Sequence, residues 1–430
     1  MILRLTLRAG RRLAAALAAA ALALPAAANN GLNLIGFGTA SVGMGGADLA
    51  VAQDTTALNT NPAGIARLRA AALDVFVEVA NSRQRHADGF GNDRGVGNEF
   101  IGLGGFGWTR PVGDTLVAGI GLFGQGGAGF VYRGLDTAFG TRDSAALVFG
   151  IGRLTPTLAW QATDKLALGL TVPLTLARAK QEFFPDTSFF SGDPATSFFG
   201  LRIEGLEARR ASLRLGLRWE ATPTLALALV YATKTPLPLD GGRLDADMSA
   251  IGLGSVRYRD VRFTGFALPE EVGAGLAWQA TPRLLLALDL TRLAWSQALR
   301  RATLTATGSR TPGAPPQLQL LQPLDWRDQT VVAAGLAYDV DERWRLYAGL
   351  NHGANPVPAR TTSPLLAPIG EWHATGGLRW RAAPGWELSA ALEWLRPKEV
   401  RYTNPLLPFG PGARATSAYL AGHLMIGRRW

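Results

Sequence analysis

Not one of the 430 residues is cysteine, so no disulfide framework braces this chain and no thiolate is present to hold a metal or attack a substrate. Histidine is nearly as scarce. His86, His352, His373 and His423 lie far apart, and none stands at a metal-ligand spacing, so neither a metal nor any other cofactor is expected. Charge is thin, at 18% of residues with a net +10, and Arg4, Arg8, Arg11 and Arg12 supply the first four positive charges. No basic run is interleaved with aromatics, which argues against nucleic acid as a partner. Past the N-terminus no run of 18 apolar residues occurs, which rules out a helical membrane span.

What is present is an unusual mixture: 47% hydrophobic residues, 12 tryptophans and 52 glycines. The apolar content is dispersed rather than massed. One exception is the N-terminus, where the basic start leads into the apolar run Leu13 to Leu24 and then Ala26-Ala27-Ala28. That order predicts a cleaved secretory signal over residues 1–28, with the mature chain starting near Asn29. The run is too short for a spanning helix, which takes about 20 residues. Residues 29–70 follow, rich in Gly, Ala and Thr, without alternation, and carrying Asn61-Pro62-Ala63.

From Leu73 onward the sequence alternates. In WELSAALEW, Trp386, Leu388, Ala390, Leu392 and Trp394 share one face of a strand, and Glu387, Ser389, Ala391 and Glu393 the other. Eight steps of about 3.4 Å, tilted by about 40°, give roughly 20 Å of height, against an apolar band of about 25 Å with aromatic girdles in outer-membrane barrels. The pattern recurs in Leu213 to Trp219, Leu225 to Tyr231, Val272 to Trp278, Trp344 to Leu350 and Trp372 to Trp380. An arginine facing lipid at mid-depth would cost about 2–4 kcal/mol, so the parity carrying Arg214, Arg345 and Arg379 must face a lumen.

Fourteen strand candidates are centred near Phe76, Phe106, Gly119, Leu158, Leu170, Leu215, Leu227, Ala274, Leu288, Ala334, Ala348, Gly376, Ala390 and Gly422. Tight turns such as Ala221-Thr222-Pro223 and Ala280-Thr281-Pro282 alternate with long links near 82–98, 125–145, 182–208, 235–268, 301–325, 353–370 and 397–415. This asymmetry predicts an all-β transmembrane fold: a 14-stranded antiparallel outer-membrane β-barrel over 71–430, with residues 29–70 as an N-terminal hatch inside the lumen. Closure is obligatory, because an open sheet edge in lipid leaves its N–H and C=O groups unpaired. Asp48, Asp54, Asn59 and Asn61 of the hatch are expected to meet the lumen arginines. Outer-membrane lipid and lipopolysaccharide would surround the wall.

The hatch residues Gly31-Leu32-Asn33-Leu34, the run Gly43 to Gly46 and Asn61-Pro62-Ala63 carry a family resemblance. So do Ala177-Arg178-Ala179-Lys180, Leu268-Pro269-Glu270, Trp295-Ser296-Gln297 and Pro356-Val357-Pro358. With them the sequence resembles the FadL/TodX (OMPP1) family of outer-membrane long-chain fatty acid and hydrocarbon transporters. The resemblance implies a monomer that takes up hydrophobic small molecules without energy input, captures them at the extracellular loops and passes them to an inner pocket. Release is then lateral, beside an inward kink in the third strand. It also implies the site residues. Leu32 and Leu34, with Asn61, Pro62 and Ala63, belong to the inner pocket and hatch; Gly119, Gly121 and Gly124 permit the kink or simply fit against the hatch; and Arg178 and Lys180 attract a carboxylate. Leu166 to Leu176 share the face of Arg178, which would aim it at lipid unless Pro173 flips the phase. The family's acid before Pro356-Val357-Pro358 is missing from Asn351 to Asn355.

The third long link reads EFFPDTSFFSGDPATSFFG. Phe183, Phe184, Phe189, Phe190, Phe198 and Phe199 are expected either to form an apolar landing surface for ligand or to pack the loop's own core. Two rivals stay open: an outer-membrane hydrolase using His373 or His423, and a general diffusion porin.

Overall fold

The computed structural model describes residues 30–193 and 196–430, so the predicted signal over 1–28 lies outside the described residues. Fourteen antiparallel strands close into a barrel. Strands one to three are Ala72–Ala87, Phe100–Val112 and Leu116–Asp136. The next six are interrupted: Arg142–Leu154 with Thr157–Gln161, Leu166–Thr171 with Leu174–Phe189, Phe198–Ala211 with Arg214–Thr222, Leu225–Ala232 with Leu239–Asp247, Ser255–Thr264 with Glu271–Thr281, and Leu284–Leu293 with Arg301–Thr307. The tenth joins Gln317–Pro323 to Gln329–Asp339, and the last four are Trp344–Gly353, Trp372–Ala383, Trp386–Arg401 and Arg414–Arg429. The first strand pairs with the last from Ala72↔Arg429 to Ala87↔Arg414, which leaves the sheet no free edge. Among the described residues no helix is long and apolar enough to cross a membrane.

The alternation reads as expected. Trp386, Leu388, Leu392 and Trp394 are exposed on the outside, while Ser389 and Glu393 are buried within. At the turn end, Trp108, Trp160, Trp219, Trp278, Trp344 and Trp386 all point outward and form a girdle. The long links differ from expectation. Those at 125–145 and 182–208 are mostly strand, with the third strand running to Asp136 and the fifth to Phe189 before the chain turns back. Sheet hydrogen bonding satisfies the backbone beyond the bilayer as well as within it, so the hairpins stand tall. Their inner faces bury a hydrophobic cluster that includes Tyr132, Phe149, Phe184, Tyr258, Phe266, Trp295 and Trp326.

Residues 30–68 sit inside the cylinder. They contain the helix Gly38–Gly43 (α1) and two 3-10 turns, Thr55–Leu58 and Pro62–Arg67. Contacts radiate to walls on all sides. Thr39 Oγ1 meets Ser389 Oγ at 2.5 Å, Thr55 N donates to Asp74 at 2.9 Å, and Asn351 Nδ2 donates to the Gly45 carbonyl at 2.9 Å. The fit is tight at Gly349, where a Cβ would lie 2.2 Å from Gly45 N and from Met44 C. Only a bare backbone there admits the segment.

Of Asp48, Asp54, Asn59 and Asn61, Asn59 meets a lumen arginine, accepting from Arg153 Nη1 at 3.3 Å, whereas the three arginines singled out from the sequence turn to other partners. Arg345 pairs with Asp339 at 2.5 Å and Arg379 with Glu387 at 3.7 Å, both acids of the wall. Arg214 pairs with Glu271 and donates to the Thr60 carbonyl. Wall carboxylates one or two strands away offer partners at fixed distance, and the hatch supplies the Thr60 carbonyl and the amide oxygens of Gln53 and Asn59.

Candidate functional site

The third strand departs from regular pairing at one place. Its ladder with the second strand runs from Val112↔Leu116 to Gly105↔Phe123 and stops. Beyond it, residues Phe100 to Gly104 of the second strand pair with the first strand alone. The register with the fourth strand shifts between Gly124 and Gly126, and Gly126 and Gly127 take φ of 139° and 147°, a conformation that favours glycine. The third strand thereby turns inward. Gly126 forms a bridge with Asn33, and Gln125 Oε1 accepts from Asn59 Nδ2 at 2.9 Å. Contact with the second-strand side resumes where Gly97 N donates to Val131 O at 2.7 Å and Asn98 bonds Gly129 O and Val131 N. Past Phe123 the third strand thus makes no ladder with the second. Phe123 itself packs edge-on to Phe37 at 5.9 Å and beside Phe76 at 6.0 Å.

A cleft of about 90 Å³ adjoins this kink. It is lined by Leu34, Ile35 and Phe37 of the hatch, by Gln125, and by Leu293, Val331 and Ala333 of the wall. Polar groups line it as well, among them Asn30, Asp48, Arg214, Glu271, Asp289 and Asn351. Asp289 Oδ2 accepts from the backbone N–H groups of Asp48 at 2.7 Å and Leu49 at 2.8 Å. Burial pushes the Asp48 carboxyl up to about 7, opposed by a hydrogen bond from Ser41.

The six phenylalanines divide. Phe183 and Phe184 are buried and stack on each other at 4.8 Å, and both meet Phe409 of the last loop. Phe189 and Phe190 are each 43% exposed, and Phe189 and Phe198 stack on Phe139. Phe199 is half-buried. The pairs therefore form both a packed core and an exposed surface.

The residues expected at the inner site take different places in the structure. Of Leu32, Leu34, Asn61, Pro62 and Ala63, only Leu34 lines the cleft. Leu32 is fully buried in the hairpin cluster. Asn61 caps the turn at Ala63 N and donates to Leu49 O and Leu217 O, so the Asn-Pro-Ala segment anchors the hatch to the wall. Gly119 and Gly121 are regularly paired with Thr109 and Gly107, and Gly124 alone borders the irregularity. They leave room for Leu58 and for the Phe123 ring, respectively. Arg178 and Lys180 face outward, since Pro173 does not flip the phase, and Arg178 pairs with Glu207 at 2.9 Å.

Sequence reasoning missed Gln125, Gly126 and Gly127, although a single polar residue within the strand's glycines was a signal. It also missed a buried chain on strands one and twelve to fourteen. His373 Nδ1 lies 2.7 Å from Glu393 Oε1, and His423 lies 3.4 Å from Glu393 and 3.8 Å from Glu78. Nothing in single-strand patterning brings those four together.

Comparison with known proteins agrees with this architecture. Over 93% of this chain and 99% of theirs, it is similar to three solved structures. These are the Pseudomonas putida toluene transporter TodX (19% identity, TM-score 0.78), the Ralstonia pickettii toluene transporter TbuX (20%, 0.73) and a Pseudomonas aeruginosa FadL homologue (18%, 0.74). No curated protein sequence matches. A sequence model of the outer membrane protein transport proteins matches residues 14–408. The chain belongs to the outer membrane protein transport protein family, OMPP1/FadL/TodX.

Proposed function

We propose that this protein mediates passive uptake of small hydrophobic molecules, aromatic hydrocarbons or long-chain fatty acids, across the bacterial outer membrane. The observation that carries the reading is the contiguity of cleft and kink. Gln125 both lines the cleft and belongs to the stretch where strand three leaves strand two. A molecule held against Leu34, Phe37 and Leu293 has an apolar way out sideways, past Phe123 and into lipid. Such an exit avoids the periplasmic water that the rest of the hatch blocks.

Capture falls to the exposed pair Phe189 and Phe190 at the hairpin rim. The hatch acts as a gate whose inner contacts shift when ligand fills the cleft. The protein works as a monomer in the bilayer, without catalysis and without a cofactor. Lipid covers its tryptophan girdle, and lipopolysaccharide meets the outward Arg178, Lys180 and Arg209. The hydrolase reading lacks a nucleophile at its best candidate, since no hydroxyl bonds the free Nε2 of His373.

Proteoliposomes test the proposal. Toluene or oleate should enter faster than through protein-free vesicles, with no large steady ion conductance and no ester hydrolysis. A gap sealed by a bulky residue at Gly126 (Gly126→Trp) should abolish the excess. Unchanged uptake in a correctly assembled Gly126→Trp barrel would exclude the lateral route.

A further inference from the structure

Strand ten loses one neighbour on its way up. Strand eleven ends at Gly353, opposite Val331, and the link that follows packs Val357, Leu365 and Leu366 into the hairpin cluster instead. Above that level the segment Gln317–Pro323 of strand ten pairs only with Arg301–Thr307 of strand nine, from Arg301↔Pro323 to Thr307↔Gln317 without a bulge. On its other side its backbone bonds to nothing among the described residues. Natural sheets blunt such an edge with a charge, a bulge or a cover. This one reads Gln-Leu-Gln-Leu-Leu-Gln-Pro, uncharged, with Leu320 48% and Leu321 59% exposed on its opposite faces.

Lipid tails do not cover it. Val332, His352 and Trp372 form one row, whose exposed tryptophan marks the upper limit of the apolar band, and residues 317–323 lie beyond that row. A second copy does not fit either. Copies in one membrane share its normal, and a two-fold axis along it would set the two edges parallel, donor against donor. The charge around the edge is of one sign. Residues 300–324 contain Arg300, Arg301 and Arg310 and no acid. Arg301 lies opposite Pro323, Arg300 O accepts from Leu324 N and Asp325 N, and Arg310 sits in the turn above. These three and Arg327 are exposed and pair with no carboxylate among the described residues, whereas Arg292 and Arg360 are met by Asp328 and Asp325.

We propose that the edge Gln317–Pro323 is a docking site for an extended acidic segment of another polypeptide, which joins the sheet as an added strand. Only a backbone offers donors and acceptors at the repeat of this edge. Apolar residues of the segment meet Leu320 or Leu321, and carboxylates at its ends meet Arg310 above and Arg300, Arg301 and Arg327 below.

The probe is a nine-residue peptide of alternating leucine and threonine with glutamate at both ends, added to the detergent-solubilised full barrel. Hydrogen exchange should be fast at the free-edge amides of 317–323, and saturating peptide should slow it by about tenfold or more there while the closed wall stays unchanged. The same peptide N-methylated at its inner residues cannot complete a ladder and should bind about tenfold more weakly, as should its counterpart with lysine at both ends. The double change Arg301→Glu, Arg327→Glu should reverse the preference between the acidic and the lysine peptide, with heat-modifiable gel migration showing the barrel intact. Equal binding of the plain and N-methylated peptides, or no protection of 317–323 by the acidic peptide, overturns the proposal. Protection by lipid A micelles in place of the peptide also overturns it and makes the edge a lipid contact.

Discussion

Asn59, in the segment that fills the lumen, donates its side-chain N–H to Gln125 of the third strand at 2.9 Å, with both residues buried. This bond ties the inward turn of the wall to the hatch. In Gln125→Leu the Asn59 amide keeps a buried N–H without an acceptor, at a cost of about 1–3 kcal/mol. The third strand should relax toward the second and narrow the break in their ladder. Ligand uptake in proteoliposomes is expected to fall several-fold, with heat-modifiable gel migration showing the barrel intact.

The wall was legible because its period is two and its chemistry binary. Every strand centre inferred from alternation lies within a barrel strand, from Phe76 to Gly422. The same rule fails where function departs from regularity. Gln125 to Gly127 break register, and no period describes a break. The hatch was legible as a segment but not in its contacts. Asn61 bonds Leu217, and Asp48 N bonds Asp289, across 156 and 241 residues. Such meetings depend on shear and closure of the whole cylinder, which no local pattern encodes.

Phe184 and Phe190 share a hairpin but should respond oppositely to substitution. Phe184 is fully buried, so Phe184→Ala should destabilise by about 3–5 kcal/mol and lower the temperature at which the barrel loses its folded gel mobility. The double change Phe189→Ser, Phe190→Ser removes exposed rings. Stability should hold within about 0.5 kcal/mol, as surface changes usually do. Uptake at low ligand concentration should drop while the saturating rate persists.

The raised carboxyl of Asp48 makes hatch docking pH-dependent. Its folded value, about 7, lies above the ordinary 3.8, so the docked state holds a proton that the released state gives up. That stabilisation is complete below about pH 4 and is lost as the pH rises through 7. With Asp48 only half-buried, the effect is of the order of 2 kcal/mol. Urea melting of the barrel should therefore show greater stability at pH 5 than at pH 8, and Asp48→Asn should flatten the difference by strengthening the pH 8 state.

Glu393 serves two histidines from inside the wall. In Glu393→Leu, His373 and His423 remain buried without their shared acceptor, a loss of about 3 kcal/mol or more. The variant should melt earlier, and His373→Leu in the same chain should recover part of the loss. A double-mutant cycle with full additivity would show that the 2.7 Å contact carries no coupling.

Gly349 gives the most direct test of whether the hatch seals the lumen. A methyl group added there would sit 2.2 Å from the backbone of Met44 and Gly45, and neither neighbour is a flexible side-chain tip that can swing aside. Gly349 itself is held by ladder partners Gly335 and Thr375 on both sides, so the wall cannot yield. The hatch must move instead. Overpacking of this kind costs about 1–3 kcal/mol, comparable with the few hydrogen bonds holding this turn, such as Asn351 Nδ2 to Gly45 O. Gly349→Val should therefore displace residues 44–46 and open a water path beside strand eleven. Single barrels in a planar bilayer should then pass steady ion current where the natural protein is silent. Silence from an inserted Gly349→Val barrel would mean that the seal lies elsewhere, in the hydrophobic cluster of the hairpins around Trp295 and Phe184.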